Sequence, residues 1–276
     1  MNAVGTLASP FRDAVSAIDR GDVAALEQLL ALHPSLVRDR ADYGEGYFSQ
    51  PYLLWFVAEN PVRNGSLPAN IGEVVRTILR AARKEGVEKL TEQADYALGL
   101  VCSGRVPREC GVQNELIDLL VAAGATPDNS MTTALAHREL GAVDRLFHHG
   151  ATLSLLASTC LGREEDVRRL APLASKVERQ AALVGAAFYG EIDSLRVLLS
   201  HELDVSAYSP ANFHSHATPL HHAVASGSLR AVTLLVEAGA QLDVKDRIYQ
   251  GTPLGWAEYL HQADIAAWLR SKDAPS

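Results

Sequence analysis

The sequence predicts an all-α protein built from repeated helix pairs, and three observations support this fold class. The segment TPLHHAVASGSLRAVTLLVEAGAQLDVKD begins at Thr218, and a related segment begins 34 residues later at Thr252. Glycines recur between two short apolar segments, as in AALVGAAFYG followed by SLRVLLS. Apolar residues in the second segment recur at helical spacing. Stacked units of this size bury a continuous core, so the chain is expected to form a solenoid.

Each part of the unit that begins at Thr218 has a local reason to form or end a helix. The Thr218 hydroxyl can cap the first helix, and Pro219 suits its first position because no hydrogen bond is lost there. Gly227 is expected to end this helix, and Gly239 the next one. The second helix carries an apolar stripe at Leu229, Val232, Leu235 and Val236.

This unit resembles the ankyrin repeat, which has about 33 residues, a β-turn, two helices and a Thr-Pro-Leu-His-x-Ala signature. The likeness is strong over residues 181–271 and moderate elsewhere. It implies an all-α ankyrin-repeat solenoid of about eight helix pairs with short β-turn fingers. In such a fold the fingers and first helices line a concave face. The last unit, DRIYQGTPLGWAEYL, looks like repeats of stand-alone ankyrin proteins from bacteria.

The resemblance extends over the chain, so we expect a single ankyrin-repeat domain spanning residues 1–276. Terminal repeats of solenoids are atypical because they cap the core. The expected parts are an N-terminal capping repeat (1–40), degenerate repeats (41–180), better-matching repeats (181–246) and a C-terminal capping repeat (247–276).

Two segments rich in Gly and Pro interrupt the degenerate repeats. Residues 60–70 and residues 104–112 are each expected to be an inserted loop between the two helices of a pair. Because they fall at equivalent places in adjacent repeats, they should lie side by side. Insertions in repeat proteins often map to a binding face, but surface loops also tolerate insertion at little cost. The sequence leaves both interpretations open.

A cluster of imidazole and aromatic side chains falls in the last two repeats. By the resemblance, His221 is the signature histidine that ties a helix start to neighbouring loops, and His222 faces the concave groove. Trp256 occupies the position of His222 in the next repeat. Tyr and Trp are frequent in binding hot spots. The expected partner-binding residues here are Phe213, His214, His216, His222, Tyr249, Gln250, Trp256 and Tyr259.

A second aromatic cluster lies near the N-terminus, where LLWFV reads as an apolar helix. Tyr47 and Phe48 precede this helix and are expected to line the N-terminal end of the groove. Cys102 and Cys160 lie in apolar segments and are expected in the core. Cys110 is the cysteine expected to be reachable.

Composition argues against several classes of protein. The formal net charge is -8, so we expect no nucleic-acid partner. No apolar run approaches the length that spans a bilayer, so we expect no membrane partner. Three cysteines and no recognisable secretory signal favour a reducing cytosol. Phosphate-loop, dinucleotide, nucleophile-elbow and zinc-protease motifs are missing, so no cofactor is expected and an enzyme is not favoured.

The sequence therefore predicts a binding module that holds a protein or peptide on its concave face. The alternative is a small-molecule-binding protein, or an atypical enzyme, with a pocket lined by His, Tyr and Trp in the same groove. A metal-dependent role for His214, His216 and His222 is a third possibility, because histidine is a common metal ligand.

Overall fold

The computed structural model describes residues 7–211 and 213–275. Residues 1–6 and 276 of the expected capping repeats, and Asn212, lie outside the described residues. The α-helices are α1 (Phe11–Arg20), α2 (Val23–Leu32), α3 (Ile71–Lys84), α4 (Leu90–Cys102), α5 (Arg105–Glu109), α6 (Gln113–Ala122), α7 (Pro127–Ala136), α8 (Leu140–His148), α9 (Leu155–Cys160), α10 (Glu164–Leu170), α11 (Lys176–Tyr189), α12 (Ile192–Leu199), α13 (Pro219–Ala225), α14 (Leu229–Glu237), α15 (Pro253–Tyr259) and α16 (Ala263–Arg270). Short 3₁₀-helices cover Pro34–Val37, Gly46–Phe48 and Leu53–Ala58.

Most of these elements associate in eight successive pairs within the described part of the chain. The pairs are α1 with α2, Leu53–Ala58 with α3, α4 with α6, α7 with α8, α9 with α10, α11 with α12, α13 with α14, and α15 with α16. The one β-type pairing in the described ranges is an isolated bridge between Arg40 and Tyr52. The predicted all-α fold class, with about eight helix pairs, is confirmed.

Contacts divide the chain into two compact units, which we call the N-terminal unit (up to Thr152) and the C-terminal unit (from Leu153). The predicted single domain over 1–276 stays a prediction. Within each unit the first helices of successive pairs pack on one another, and so do the second helices. The apolar core lies between these two layers. In the C-terminal unit it is built around Leu183, Leu195, Leu220, Leu235, Leu254 and Ile265.

The helix boundaries follow from local chemistry that the sequence encodes. In the last pair, the Thr252 hydroxyl accepts a hydrogen bond from the Gly255 amide, and Pro253 occupies the first helical position. In α11, Ser175 and Glu178 form a reciprocal capping box. Gly190 ends α11 with a left-handed backbone (φ +75°), a conformation that glycine adopts without steric cost.

The two expected inserted loops differ in structure. Residues 60–70 form no regular element, as predicted. The loop prediction for residues 104–112 was wrong in part, because Arg105–Glu109 form helix α5. Arg108 anchors this helix by an ion pair of 2.6 Å with the buried carboxylate of Glu139. The Leu67 amide donates a hydrogen bond of 3.4 Å to Cys110 Sγ, so the two segments do contact each other.

A buried carboxylate organises the loop at residues 60–70. Glu59 is buried, and its Oε1 accepts hydrogen bonds from the amides of Arg63 (2.7 Å), Asn64 and Gly65 (3.0 Å). The Arg63 guanidinium then bridges Glu59 (2.9 Å) and Asp19 (2.7 Å). Because the buried charge is both paired and hydrogen-bonded, the loop has a defined structure despite its Gly and Pro content.

Candidate functional site

The C-terminal unit contains an aromatic cleft with a volume of about 510 Å³. Its aromatic walls are formed by Tyr249, from the finger that connects α14 to α15, and by Trp256 and Tyr259 of α15. Ala225 of α13 also lines it. Tyr249 is 78% exposed and Tyr259 is 83% exposed. Large aromatic side chains with this much exposure leave apolar area in water, which is a property of interaction surfaces. We call this feature the aromatic cleft.

Asp246 holds the finger that carries Tyr249. Its carboxylate is fully buried and accepts hydrogen bonds from the amides of Ile248, Tyr249 and Gly251, and from the indole Nε1 of Trp256 (3.0 Å). Burial alone would raise the pKa of Asp246, but these four donors outweigh it and lower the pKa to about 2. The charged carboxylate therefore fixes both walls of the aromatic cleft.

Behind Trp256 lies an imidazole cluster formed by His214, His216 and His222. The ring centroids are 5.1 Å apart for His214 and His222, 5.8 Å for His216 and His222, and 6.1 Å for His214 and His216. Trp256 stacks on His216 at 6.1 Å, and Phe188 packs on His214 at 4.4 Å. These three histidines, which the sequence places in one finger and the helix that follows it, therefore contact one another.

The predicted exposure of part of this strip was wrong. His222 is only 2% exposed, and Phe213 is equally buried, so neither presents a side chain to a partner. The reason is that His222 lies between Phe188 and Trp256, which pack against it from neighbouring first helices. Burial is the main cause that lowers the pKa of His222 to about 3, and His214 and His216 lower it further. The ring is therefore neutral at physiological pH.

His221 has the structural role that the resemblance implies. Its Nε2 donates to the Gly251 carbonyl at 3.1 Å, and its Nδ1 lies 2.8 Å from the Thr218 hydroxyl. These bonds connect the start of α13 to the next finger. Gln250 is exposed and donates from Nε2 to the Asp246 carbonyl at 3.1 Å. This hydrogen bond joins two residues of the same finger, so the Gln250 side chain stabilises the finger.

The described residues give no support to a metal-dependent role for the imidazole cluster. Over residues 7–211 and 213–275, no group of three or more His, Cys, Asp or Glu side chains is arranged to hold a metal ion. A metal site needs several ligand atoms converging on one point.

The N-terminal unit contains a larger cleft of about 680 Å³, which we call the polar cleft. One wall is a face of α4 and its C-cap, with Glu92, Asp95, Tyr96, Gly99, Leu100 and Ser103. A second part of the lining is a face of the neighbouring helix α7 and its C-cap, with Asn129, Thr133 and His137. Tyr47 and Asn60 complete the lining. This volume lies within the range of small-molecule sites.

Hydrogen bonds fix the α4 wall of the polar cleft. Asn60 Nδ2 donates to the Leu100 carbonyl (3.1 Å) and to Ser103 Oγ (3.0 Å), while Asn60 Oδ1 accepts from the Tyr47 hydroxyl (3.0 Å). The Tyr96 hydroxyl donates to the Tyr47 carbonyl. Asn60, the first residue of the loop at residues 60–70, thus lines the polar cleft. This agrees with the interpretation that the insertion contributes to a binding face.

The two N-terminal site predictions have different outcomes. Tyr47 is 58% exposed and lines the polar cleft. Phe48 is buried, and its ring packs edge-to-face on Phe56 at 5.2 Å, so its predicted exposure in the groove was wrong. The short 3₁₀-helix Gly46–Phe48 explains the difference, since consecutive side chains of a helical turn point in different directions.

Sequence reasoning missed most of the polar cleft, although a signal was present. Glu92, Tyr96 and Leu100 recur every four residues on α4, and Asn129, Thr133 and His137 do so from α7 onward. Such spacing places side chains on one helix face.

Sequence reasoning also missed Phe188, whose ring packs on His222. Phe188 precedes the turn glycine of its repeat by two residues, as Ala225 does in the next repeat. Ala225 and Tyr259 each follow the initial threonine of their repeat by seven residues, so all three positions are equivalent.

Both clefts lie where fingers or loops meet the first helices of adjacent pairs. Such an arrangement is typical of repeat proteins that bind other molecules. The family model described as ankyrin repeats (three copies) matches residues 114–246 and 186–275, which together span more than half of the chain. The chain therefore belongs to the ankyrin-repeat family, whose repeats generally act in protein interactions. No curated protein matches the sequence significantly. None of the helices in the described residues has the length and apolar character needed to cross a bilayer.

Proposed function

We propose that this protein binds a protein or peptide partner and that the aromatic cleft holds an apolar or aromatic side chain of that partner. The observation that carries the proposal is the exposure of Tyr249 and Tyr259 in the lining of a cleft that also contains Trp256. Tyr and Trp bury much area for little loss of conformational entropy, which suits them to anchor a partner.

The support for a fixed binding surface comes from Asp246. Because its carboxylate holds both the Tyr249 amide and the Trp256 indole, two walls of the cleft are set before a partner arrives. Preorganised surfaces lose less entropy on binding than mobile ones. We further propose a cytosolic location, because all three cysteines are free thiols.

The proposal is tested by selecting peptides from a random library on the purified protein and measuring their affinity for variants. Tyr249→Ser with Tyr259→Ser removes two exposed rings and should leave the fold intact. We expect the affinity to fall by roughly thirtyfold or more, as for loss of a hot spot. Leu173→Ser with Val177→Ser is the matched control, since both side chains are exposed and lie outside the cleft. Equal affinity of the Tyr double variant and the control would contradict the proposal.

The alternative is a small-molecule-binding protein, and one observation favours it as a second activity of the chain. The polar cleft has the size of a ligand site and a wall held by hydrogen bonds. The lining of the aromatic cleft, by contrast, holds Tyr and Trp but no His among the described residues. The small-molecule alternative therefore rests on the polar cleft, and not on an aromatic cleft lined jointly by His, Tyr and Trp.

A further inference from the structure

The polar groups on the α4 wall of the polar cleft have already used their protons within the protein. The Tyr47 hydroxyl donates to Asn60, and the Tyr96 hydroxyl donates to the Tyr47 carbonyl. Both amide protons of Asn60 are used, one on the Leu100 carbonyl and one on Ser103 Oγ. The Ser103 hydroxyl donates back to the carbonyl of Gly99 at 2.9 Å. What remains for a ligand on this wall is a set of lone pairs.

The charged side chains of the polar cleft also favour a ligand that donates hydrogen bonds and carries positive charge. Glu92 and Asp95 supply two carboxylates, which only accept hydrogen bonds, and no Lys or Arg occurs among the described lining residues. Asp95 Oδ1 accepts the Thr126 amide at 2.6 Å, which fixes the side chain in place. Glu92 contacts Lys89 at 3.6 Å, but both side chains are well exposed, and such pairs are weak and exchangeable.

Aromatic faces add to this preference for positive charge. Burial raises the pKa of Tyr47 and of Tyr96, so both phenols stay neutral and present rings and oxygen lone pairs. Cations are attracted to the faces of such rings. Tyr96 is held in position because its ring stacks on Trp55, with the centroids 4.0 Å apart.

The cleft also has room for an aliphatic stem. Gly99 lies in the last turn of α4, and a Cβ added there would meet only Ser130 Oγ, at 3.9 Å. Packing therefore does not require glycine at this position, although glycine in a helix is unfavourable.

We propose that the polar cleft binds an organic cation, an alkylammonium or guanidinium group on an aliphatic stem. The group donates hydrogen bonds to the acceptors of the α4 wall and pairs with Glu92 and Asp95. Phosphates and carboxylates are disfavoured at the α4 wall, because there they would face acceptors without donors. The cation can belong to a lysine or arginine side chain of a peptide or to a free amine, and the two sources are separable by experiment.

Titrations monitored by two-dimensional NMR of the tryptophan indoles test the proposal. The chain has three tryptophans, and the indole of Trp55 reports on the polar cleft because its ring stacks on Tyr96. The probes are cadaverine, a short peptide Gly-Lys-Gly with blocked ends, and two neutral analogues, 1,5-pentanediol and the same peptide with norleucine. We expect cadaverine, the lysine peptide or both to shift the Trp55 signal, and the neutral analogues to shift it much less.

Two pairs of variants separate the site from the fold. Glu92→Gln with Asp95→Asn keeps the acceptor for the Thr126 amide and should weaken binding by roughly tenfold or more, as expected for lost charged hydrogen bonds. Its control is Asp128→Asn, since Asp128 accepts the Thr152 amide at 2.6 Å in the same way but lies outside the cleft. Gly99→Leu should block the cleft, whereas Gly141→Leu, at another helical glycine with open space, should not.

Each outcome decides the question. A response to the lysine peptide alone assigns the cation to a partner protein, a response to cadaverine alone assigns it to a free amine, and a response to both assigns the site to amines in general. The proposal is overturned if neither cation shifts the Trp55 signal, if the neutral analogues bind equally well, or if the charge-removed variant binds as tightly as Asp128→Asn. None of these outcomes bears on the aromatic cleft, which is tested separately.

Discussion

The indole Nε1 of Trp256 donates a hydrogen bond of 3.0 Å to the buried carboxylate of Asp246. The same carboxylate accepts three backbone amides from the finger that carries Tyr249. One buried charge thus couples the finger to the first helix of the last pair. Stability, pH dependence and the shape of the aromatic cleft all depend on this group.

Asp246→Asn should lower the free energy of unfolding of the C-terminal unit by about 2 kcal/mol, because an amide replaces a charge that accepts four donors. The wild-type pKa of about 2 lies below the value of about 3.9 in the unfolded chain. The resulting stabilisation is present above pH 4 and is lost as the pH falls towards 2. Urea denaturation at several pH values measures this. Asp243→Asn, at an exposed site in the same finger, should behave like the wild type; an Asp246 variant that retains full stability at pH 7 would count against this role.

His222→Phe should make stability less sensitive to acid. The folded pKa of His222 is about 3, below the unfolded value of about 6.5, so the unfolded chain binds a proton that the folded chain does not. The wild type should therefore lose stability as the pH falls below 6.5, by roughly 3 kcal/mol at pH 4 from this group. The Phe variant should lose correspondingly less in denaturation experiments between pH 7 and 4. His261→Phe, at an exposed site, is the control, and parallel curves for all three proteins would refute the assignment.

Two helical glycines should respond in opposite directions to alanine. At Gly99 an added Cβ would make only an ordinary contact, with Ser130 Oγ at 3.9 Å, so Gly99→Ala should stabilise the protein by about 0.5–1 kcal/mol. At Gly185 the added Cβ would lie 2.8 Å from Leu156 Cδ1 and 3.0 Å from Cys160 Sγ, and overpacking should destabilise by about 1 kcal/mol net. Thermal and urea denaturation measure both changes. A stabilised Gly185→Ala would show that this packing is looser than described.

The three cysteines should differ in reactivity towards a thiol reagent. Cys102 and Cys160 are buried, and burial raises the pKa of the Cys102 thiol further above its usual value. Cys110 is half-buried and should be the one thiol that reacts in the native protein. All three should react in denaturant, and Cys110→Ser should abolish the native reaction. Fast native labelling of Cys102 or Cys160 would contradict the described burial.

The fold was predictable because its signals are local and repeated. Thr218, Pro219 and Gly227 each define a helix boundary through capping or backbone chemistry, and the apolar stripe of α14 follows from spacing alone. The segment 104–112 was mistaken for a loop because a five-residue helix is too short to show periodicity, and its anchor Glu139 lies in a later repeat.

The sites were less predictable because they depend on contacts between repeats. Position in the motif identified Trp256, Tyr249 and Tyr259, but it could not tell that Phe188 and Trp256 cover His222. The polar cleft required knowing that the hydroxyl of Tyr47 reaches Asn60, a contact set by a loop of irregular backbone.

The central claim, that the aromatic cleft holds the partner, is tested most directly by the indole signals on addition of a library-selected peptide. Trp256 lines the aromatic cleft, whereas Trp55 stacks on Tyr96 in the N-terminal unit and Trp268 packs at the edge of the C-terminal core. We predict that the Trp256 signal shifts in proportion to peptide bound while those of Trp55 and Trp268 stay in place. A saturable shift of Trp55 or Trp268 with Trp256 unmoved would contradict the account.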